Sequence, residues 1–284
     1  MAELNQDAKT ERSEAWDQAA AAWASWWPMI QTGAQPVSQR MLELAELAPG
    51  QRVLDLASGI GEPAASAARV VGPEGSVVAT DLSDSMITHG RARMAKLGLD
   101  NVEFRKMDAE APDLAPGQFD AVLIRWGLMF VHDLAGCLRG LRDLLKPGGR
   151  LSLAVWATPD QAPALSLAQR VLDQELSFPP PKPDERTAFQ LSDRPALEAS
   201  LAAAGFESIV GDSVSVVYEF ESPARFIAFR QEVSAINQKL AAYRPERVAA
   251  AWQAVERAAE AYRTDEGTLR FENISVCLAA RKPV

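Results

Sequence analysis

The sequence predicts an α/β protein built on an open, doubly wound sheet, and three observations support this prediction. Between residues 51 and 156, five apolar strand-like runs alternate with segments of helical period. That pattern is typical of parallel strands joined by crossover helices. The first run leads into a glycine turn that opens a helix. Two longer strand-like runs, at residues 206–220 and 269–281, come later in the chain.

Length, composition and charge limit the classes of function that this sequence can have. The 284 residues suit one catalytic body with an appended lid. No apolar run approaches the roughly 18 residues that span a bilayer, and the polar start "MAELNQDAKTERSEAW" lacks the apolar core of a secretory signal, so we expect a cytoplasmic protein. A net charge of −9 disfavours nucleic acid and favours a small-molecule partner. Cys137 and Cys277 lie far apart without metal-ligand spacing, so no metal is expected.

The segments outside the alternating core predict a lid. Residues 13–27 and 36–47 have the pattern of two helices, and "FPPPKP" at residues 178–183 predicts a stiff, polyproline-like connector. A helix is expected over residues 194–204, where it ends at Gly205. The expected division is an N-terminal helical lid at residues 1–48 and a catalytic domain at 49–284, with lid insertions near 157–192 and 222–264.

The stretch "VLDLASGIGEPA", residues 53–64, predicts a ligand site. A strand that enters a glycine turn and then a helix places bare backbone N–H groups at the carboxyl edge of the sheet, where open α/β sheets bind ligands. Pro63 suits the first turn of that helix. Twenty residues beyond Gly61, the second strand ends in Asp81, an acid that can accept both hydroxyls of a ribose. The pattern therefore indicates a nucleoside.

Two enzyme classes use such a loop. Gly59, Gly61 and Ala64 also satisfy the looser dinucleotide fingerprint, so an NAD(P)-dependent oxidoreductase with a Rossmann fold is the alternative. Asp55 argues against it, because a carboxylate at the mouth of the first strand would repel a pyrophosphate, whereas it could hold an ammonium group. Asp108, just past the third strand, adds an acid that could accept from an adenine amino group.

Taken together, "VLDLASGIG", "ATDLSDSM", "KMDAE", "FDAVLIRWGLMFVHD" and "LLKPGGRLSLAVW" are similar to the ordered motifs of class I S-adenosylmethionine-dependent methyltransferases. Within that class they resemble the group of ubiquinone and menaquinone biosynthesis methyltransferases. The likeness covers residues 51–156. It implies a Rossmann-like sheet of seven strands, mostly parallel with an antiparallel last strand, and S-adenosylmethionine as the cofactor.

The resemblance also implies roles for individual residues. Asp55 and the glycine loop would line the methionine part of the cofactor, Asp81 would bind the ribose, and Asp108 the adenine. Ala57 stands where glycine is commoner, and we expect it to need only a negative φ. Asp81 could instead belong to a helix start, and Arg125 could serve only as an ion-pairing residue. The implied cofactor residues are Asp55, Ala57, Gly59, Gly61, Asp81, Leu82, Met86, Asp108, Ala109 and Arg125.

Tryptophans near the N-terminus suggest an apolar, aromatic wall for the methyl acceptor. Four lie close together, and Trp16, Trp23 and Trp26 are expected to share one helical stripe that Trp27 does not join. A stripe that merely faces the core is the alternative. The expected acceptor is a small, apolar or aromatic metabolite, methylated on O, C or N. The candidate substrate-binding residues are Trp23, Trp27, Met129, Phe130 and Trp156.

His132 is the candidate general base if the acceptor is a hydroxyl or an acidic carbon. It follows the fourth strand on the ligand-bearing edge, and histidine titrates in the range useful for proton transfer. The alternative is a solvent-exposed neighbour of a helix cap at Asp133. Because no unambiguous base is visible, a catalytically inactive cofactor-binding protein stays open as a further alternative.

Overall fold

The computed structural model describes residues 2–180, 185–234 and 236–284, and seven of its strands form one mixed sheet. In chain order the strands are β1 (Arg52–Leu56), β2 (Ser76–Asp81), β3 (Val102–Lys106), β4 (Phe119–Arg125), β5 (Leu145–Trp156), β6 (Glu207–Phe220) and β7 (Leu269–Arg281). Their order across the sheet is β3-β2-β1-β4-β5-β7-β6. Strands β1 to β5 run parallel, and β7 is antiparallel to both of its neighbours. The predicted fold class is confirmed.

Helices connect the strands and cover the sheet. They are α1 (Ala2–Leu44), α2 (Ala64–Val71), α3 (Asp84–Leu97), α4 (Leu134–Leu144), α5 (Pro163–Leu176), α6 (Arg194–Ala203), α7 (Pro223–Val233), α8 (Ile236–Leu240) and α9 (Pro245–Ala259). Several begin with a side-chain cap, such as the Ser83 hydroxyl that accepts the Met86 N–H at the start of α3. In the described part of the chain, no helix is both long and apolar enough to cross a bilayer.

The prediction of two separate N-terminal helices is wrong, because α1 is a single helix of 43 residues that contains Pro28 and Pro36. A proline inside a helix removes a hydrogen bond and normally costs about 3 kcal/mol or more. Tertiary packing offsets that cost here. Gly33 lets α1 approach β6 so closely that a Cβ at this position would lie 2.4 Å from the Val217 carbonyl oxygen. The fully buried residues around it include Ile30, Ala34, Val37 and Met41.

The inserted segments pack together beside the sheet. Helices α5, α7 and α9 contact one another, and α7 also contacts α1. The predicted connector at residues 178–183 lies partly outside the described residues, and in its described part the Phe178 ring lies 5.6 Å from the ring of Tyr243. The predicted helix before Gly205 is confirmed as α6. The division into lid and catalytic domain stays a prediction.

Strand register brings the ligand-bearing residues to one level. In the sheet, Leu56 pairs with Thr80 on β2 and with Ile124 on β4. The next residue of each chain segment is therefore Ala57, Asp81 or Arg125, side by side at the carboxyl ends of three strands. In the sheet, β2 lies on one side of the β1–β4 pair and β5 lies on the other, so the connections after β1 and after β4 lead in opposite directions. This point is where the strand order reverses, the position at which doubly wound sheets bind ligands.

Candidate functional site

A cavity of about 150 Å³ opens at this carboxyl edge, between the sheet and α1. A single water molecule needs roughly 10–15 Å³ of such space, so the cavity can admit part of an organic ligand. Its walls come from the loop after β1, the ends of β2, β3 and β4, and the N-terminal half of α1.

The loop after β1 forms the floor of the cavity with its backbone. Gly59 and Gly61 have φ of 53° and 88°, and Ala57 has φ of 51°. The expectation that Ala57 needs only a negative φ is therefore wrong: the turn uses a left-handed conformation at this position too. A Cβ at Gly61 would lie 2.9 Å from Phe104, so only glycine fits there. The Ser58 N–H donates to the Thr80 carbonyl at 2.9 Å and fixes the loop to β2.

Asp55 lies behind this loop and is fully buried. Its Oδ2 accepts the Ala64 N–H at 2.8 Å, at the start of α2, while Oδ1 has no hydrogen-bond partner among the described residues. Burial raises the pKa of Asp55 well above its ordinary value, against the lowering effects of Arg125 and of the Ala64 N–H. Asp55 thus braces the loop and helix from below and is not part of the cavity wall itself.

Asp81 connects the loop to the start of α3. One carboxylate oxygen accepts the Gly59 N–H at 2.8 Å, and the other accepts the Ser83 N–H at 3.0 Å. Burial raises the pKa of Asp81, although both N–H groups counteract this rise. The side chain lines the cavity. Each oxygen retains a lone pair that can accept a further donor, such as a ligand hydroxyl.

The other end of the cavity combines acidic and apolar groups. Asp108 caps the turn after β3 by accepting the Glu110 N–H at 2.9 Å, and Glu110 in turn accepts the His132 N–H at 3.0 Å. Both carboxylates line the cavity. The predicted cofactor residues Leu82, Met86 and Ala109 lie on the same wall.

Aromatic rings from α1 and from the loop after β4 form the opposite wall. The Trp16 ring lies 6.0 Å from the ring of Trp23 and 5.9 Å from that of Phe130. Trp27 completes the wall, whereas Trp26 points away and donates to Glu232 of α7 at 2.7 Å. The expected stripe is therefore wrong by one residue. At 100° per residue, positions 16, 23 and 27 fall within about 40° of one another, and position 26 does not.

Arg125 lies at the end of β4, between the aromatic wall and the sheet. Its guanidinium donates to Ser38 of α1 at 2.9 Å and lies 4.9 Å from the Trp126 ring centroid. Burial lowers the pKa of Arg125, whereas Glu62, Tyr218 and Asp55 raise it. The side chain is buried and still reaches the cavity.

The structure brings most of the predicted site residues together and sets a few apart. Gly61 and Asp55 lie behind the wall, and Met129 is buried beneath it. Trp156 does not reach the cavity, because its ring stacks at 4.2 Å on Trp126, which does. His132 lies just outside the wall, with Nδ1 3.7 Å from Glu110 Oε1.

Sequence reasoning missed a buried ion pair that connects the glycine turn to α3. Glu62, within the glycine turn, pairs with Arg93 of α3 at 3.1 Å. The Arg93 guanidinium also lies 4.8 Å from the ring centroid of Trp27 on α1. The acid in "GIGEP" could have drawn attention as a charge inside an apolar turn, but its partner on α3 is visible only in three dimensions.

Comparison with known proteins identifies the class. A family model described as a methyltransferase domain matches residues 53–149, from β1 into β5. UbiE of Pseudomonas putida, a ubiquinone/menaquinone biosynthesis C-methyltransferase, is 41% identical over 119 residues, or 42% of this chain and 46% of that protein. UbiE of Edwardsiella ictaluri is 34% identical over 180 residues, or 58% of this chain and 70% of that protein. The chain spans about half the length of the first curated relatives it matches.

Solved structures show the same fold. A putative methyltransferase from Bacillus halodurans superposes with a TM-score of 0.58 at 20% identity, covering 87% of this chain and 99% of that one. A phosphoethanolamine N-methyltransferase 2 from Haemonchus contortus, solved with S-adenosyl-L-methionine, superposes with a TM-score of 0.57 at 18% identity, covering 92% and 57%.

The chain therefore belongs to the class I S-adenosylmethionine-dependent methyltransferases, as its motifs predict. Within that class it resembles the UbiE C-methyltransferases.

Proposed function

We propose that this protein transfers the methyl group of S-adenosylmethionine to a small, apolar or aromatic metabolite. One observation carries the proposal: the nucleoside-type loop, with Asp81 and Asp108, faces a wall of tryptophan and phenylalanine rings across a single cavity. The acidic side can accept hydrogen bonds from the ribose hydroxyls and the adenine amino group of the cofactor. The aromatic side suits a flat, apolar acceptor and a positively charged sulfonium group, which is attracted to ring faces.

The residues of the loop fit the cofactor chemically. Ser58 lines the cavity, and its Oγ is a buried polar atom without a partner in the described chain. Asp55 Oδ1, behind the loop, is a second such atom in the segment expected to hold the methionine part. Asp81 would accept the ribose hydroxyls, and Asp108 the adenine amino group. The bound cofactor supplies an electrophilic methyl group on a positive sulfur. The chain's part is to align the acceptor for in-line attack and to exclude water with the α1 tryptophans.

Calorimetric titration tests the cofactor. We expect S-adenosylmethionine and S-adenosylhomocysteine to bind and NADH to give no heat. Tight binding of NADH without binding of the sulfonium cofactor would instead support the oxidoreductase alternative.

Labelled-methyl transfer onto a metabolite extract tests the reaction. A labelled product would reveal the acceptor and the accepting atom, whether O, C or N. Binding of the cofactor without any labelled product would favour the inactive cofactor-binding alternative.

We keep His132 as the proposed base for a hydroxyl or carbon acceptor. Glu110 supports this role, because it both lines the cavity and lies 3.7 Å from His132 Nδ1, where it can orient the imidazole. In single-turnover assays at saturating cofactor, His132→Ala should lower the rate by about 10²–10⁴. A loss below about threefold would remove His132 from the mechanism and leave positioning as the source of rate.

A further inference from the structure

Arg125 is a buried cation that reaches the cavity. Only 9% of the residue is exposed, and it lines the cavity at the end of β4. In the described part of the chain, its guanidinium donates one hydrogen bond, from Nη1 to Ser38 of α1 at 2.9 Å. Its other nitrogens are not among the buried atoms that lack a partner, so they stay accessible from the cavity. They can therefore donate hydrogen bonds to a bound ligand.

The carboxylates near this guanidinium do not neutralise it. Glu62 and Asp55 are the carboxylates whose charge acts on Arg125, and in the described chain neither forms an ion pair with it. Glu62 is engaged with Arg93 at 3.1 Å. Burial raises the pKa of Asp55 well above its ordinary value, which favours its neutral form. The cavity therefore contains a cation without a negative partner of its own.

Two rings of the aromatic wall flank this cation. The guanidinium carbon of Arg125 lies 4.9 Å from the ring centroid of Trp126 and 6.0 Å from that of Trp27. Both tryptophans line the cavity, and so do the acids Asp81 and Asp108. The proposed function assigns the acids to the nucleoside and the rings to the acceptor. Arg125 thus lies on the acceptor side.

We infer that Arg125 binds an anionic oxygen of the methyl acceptor, in a carboxylate or an ionised phenol. The inference rests on the proposed function and narrows its substrate class. A guanidinium fork matches a carboxylate in a bidentate geometry. The carboxylate of the cofactor is a poorer match in charge, because an ammonium group accompanies it and the sulfonium adds a further positive charge. An anionic acceptor supplies the missing negative charge in a cavity where unpaired charge is costly.

A matched pair of probes tests the inference. With the protein saturated by S-adenosylhomocysteine, we expect 2-naphthoate to bind at least about tenfold more tightly than 2-naphthylmethanol in calorimetry, the gain for hydrogen bonds to a charged group. Arg125→Met should abolish that preference. Arg125→Lys should keep part of it, because the charge remains without the planar fork. Arg257→Met, which changes an exposed arginine on α9, should leave the preference intact.

The wild-type comparison requires no variant, so it decides the question even where Arg125→Met does not fold. Equal affinities of the two probes for the wild-type protein, or no binding of 2-naphthoate, would overturn the inference. An undiminished preference in Arg125→Met would do the same.

A second pair of probes separates the acceptor from the cofactor as the source of the anion. S-adenosylhomocysteine and its decarboxylated analogue differ only in the amino-acid carboxylate. If Arg125 serves the acceptor, Arg125→Met should change the ratio of their affinities by less than about threefold. A larger fall in that ratio would assign Arg125 to the cofactor and overturn the inference. Failure of the proposed function has a different signature: S-adenosylhomocysteine would not bind to the wild-type protein, whatever Arg125 does.

Discussion

The backbone at Ala57 stores a small amount of strain in the ligand loop. A left-handed φ costs a non-glycine residue roughly 1–2 kcal/mol, and Ala57 adopts φ of 51°. Ala57→Gly should therefore stabilise the protein by about 0.5–1 kcal/mol in urea unfolding, after the entropy cost of glycine is subtracted. As a control, Ala67→Gly inside α2 should destabilise it by at least about 0.5 kcal/mol. A loss of stability at both positions would contradict the left-handed turn.

Asp81 is the single side chain on which cofactor affinity should depend most. It holds the Gly59 N–H and keeps acceptor capacity toward the cavity. Asp81→Ala should weaken S-adenosylmethionine binding by about 1.5–3 kcal/mol, the range for bonds to a charged group. Titration calorimetry measures this loss. Asp100→Ala, which changes an exposed acid, should leave affinity unchanged. Unaltered affinity in Asp81→Ala would make Asp81 only a part of the helix start.

For single residues, the sequence predicts the chemical type of a site residue better than its backbone conformation or its interaction partner. The acids at the strand ends were predictable because each follows a recognisable apolar run. The φ of Ala57 and the partner of Glu62 were not, because they depend on neighbours that are distant along the chain: the Cβ of Ala57 fills space beside Gly127, and Arg93 belongs to another helix.

Among the elements, α1 departs most from the prediction, and it also covers the site. The sequence predicted two helices with a break between residues 27 and 36, where packing against β6 keeps α1 continuous. Local propensity carries no information about that packing, since the contact surface is supplied more than 170 residues later in the chain. The hydrogen bonds that link α1 to the cofactor-binding elements likewise join residues that are distant in the sequence.

Asp17 forms hydrogen bonds that link α1 to the start of α3, so it should determine how well ordered the N-terminal half of α1 is. Its carboxylate accepts the Ser83 hydroxyl and the Ser85 N–H, the latter at 3.0 Å. Burial by itself would raise the pKa of Asp17, but these hydrogen bonds lower it overall. Because the pKa of Asp17 is lowered in the folded protein, the hydrogen bonds of its carboxylate contribute their full stabilisation above the ordinary value of 3.8. That stabilisation is lost as the pH falls below this value.

Asp17→Asn imitates the loss of charge at neutral pH, and we expect faster hydrogen exchange at residues 13–27 in this variant. Glu14→Gln, an exposed change on the same helix, should exchange like the wild-type protein. Between pH 5 and 8 the wild-type exchange pattern of this segment, corrected for intrinsic rates, should stay constant. Equal exchange in all three proteins would mean that the tie to α3 does not hold α1 in place.

For the whole molecule, the alternation of apolar runs and helical segments was sufficient to predict the sheet. The total of seven strands and the antiparallel final strand came from the family resemblance, and the structure confirms both. Strand order and register were visible only in the structure. The mutual packing of α5, α7 and α9 was beyond sequence reasoning, because those amphipathic segments indicate that a face is buried but not what covers it.

Cofactor binding should stabilise the carboxyl edge of the sheet and the predicted lid together. A ligand that binds only the folded state adds about 2.7 kcal/mol to the free energy of unfolding at a hundredfold excess over Kd. S-adenosylhomocysteine should therefore raise the Tm, and NADH at the same concentration should not. Hydrogen exchange locates the effect: protection should increase at residues 56–62, at the start of α3 and at residues 13–27. Residues 157–180 and 185–189 should gain protection only when an acceptor is also present. Protection confined to the loop after β1 would show that the tryptophans of α1 belong to a fixed core and do not close over the ligand.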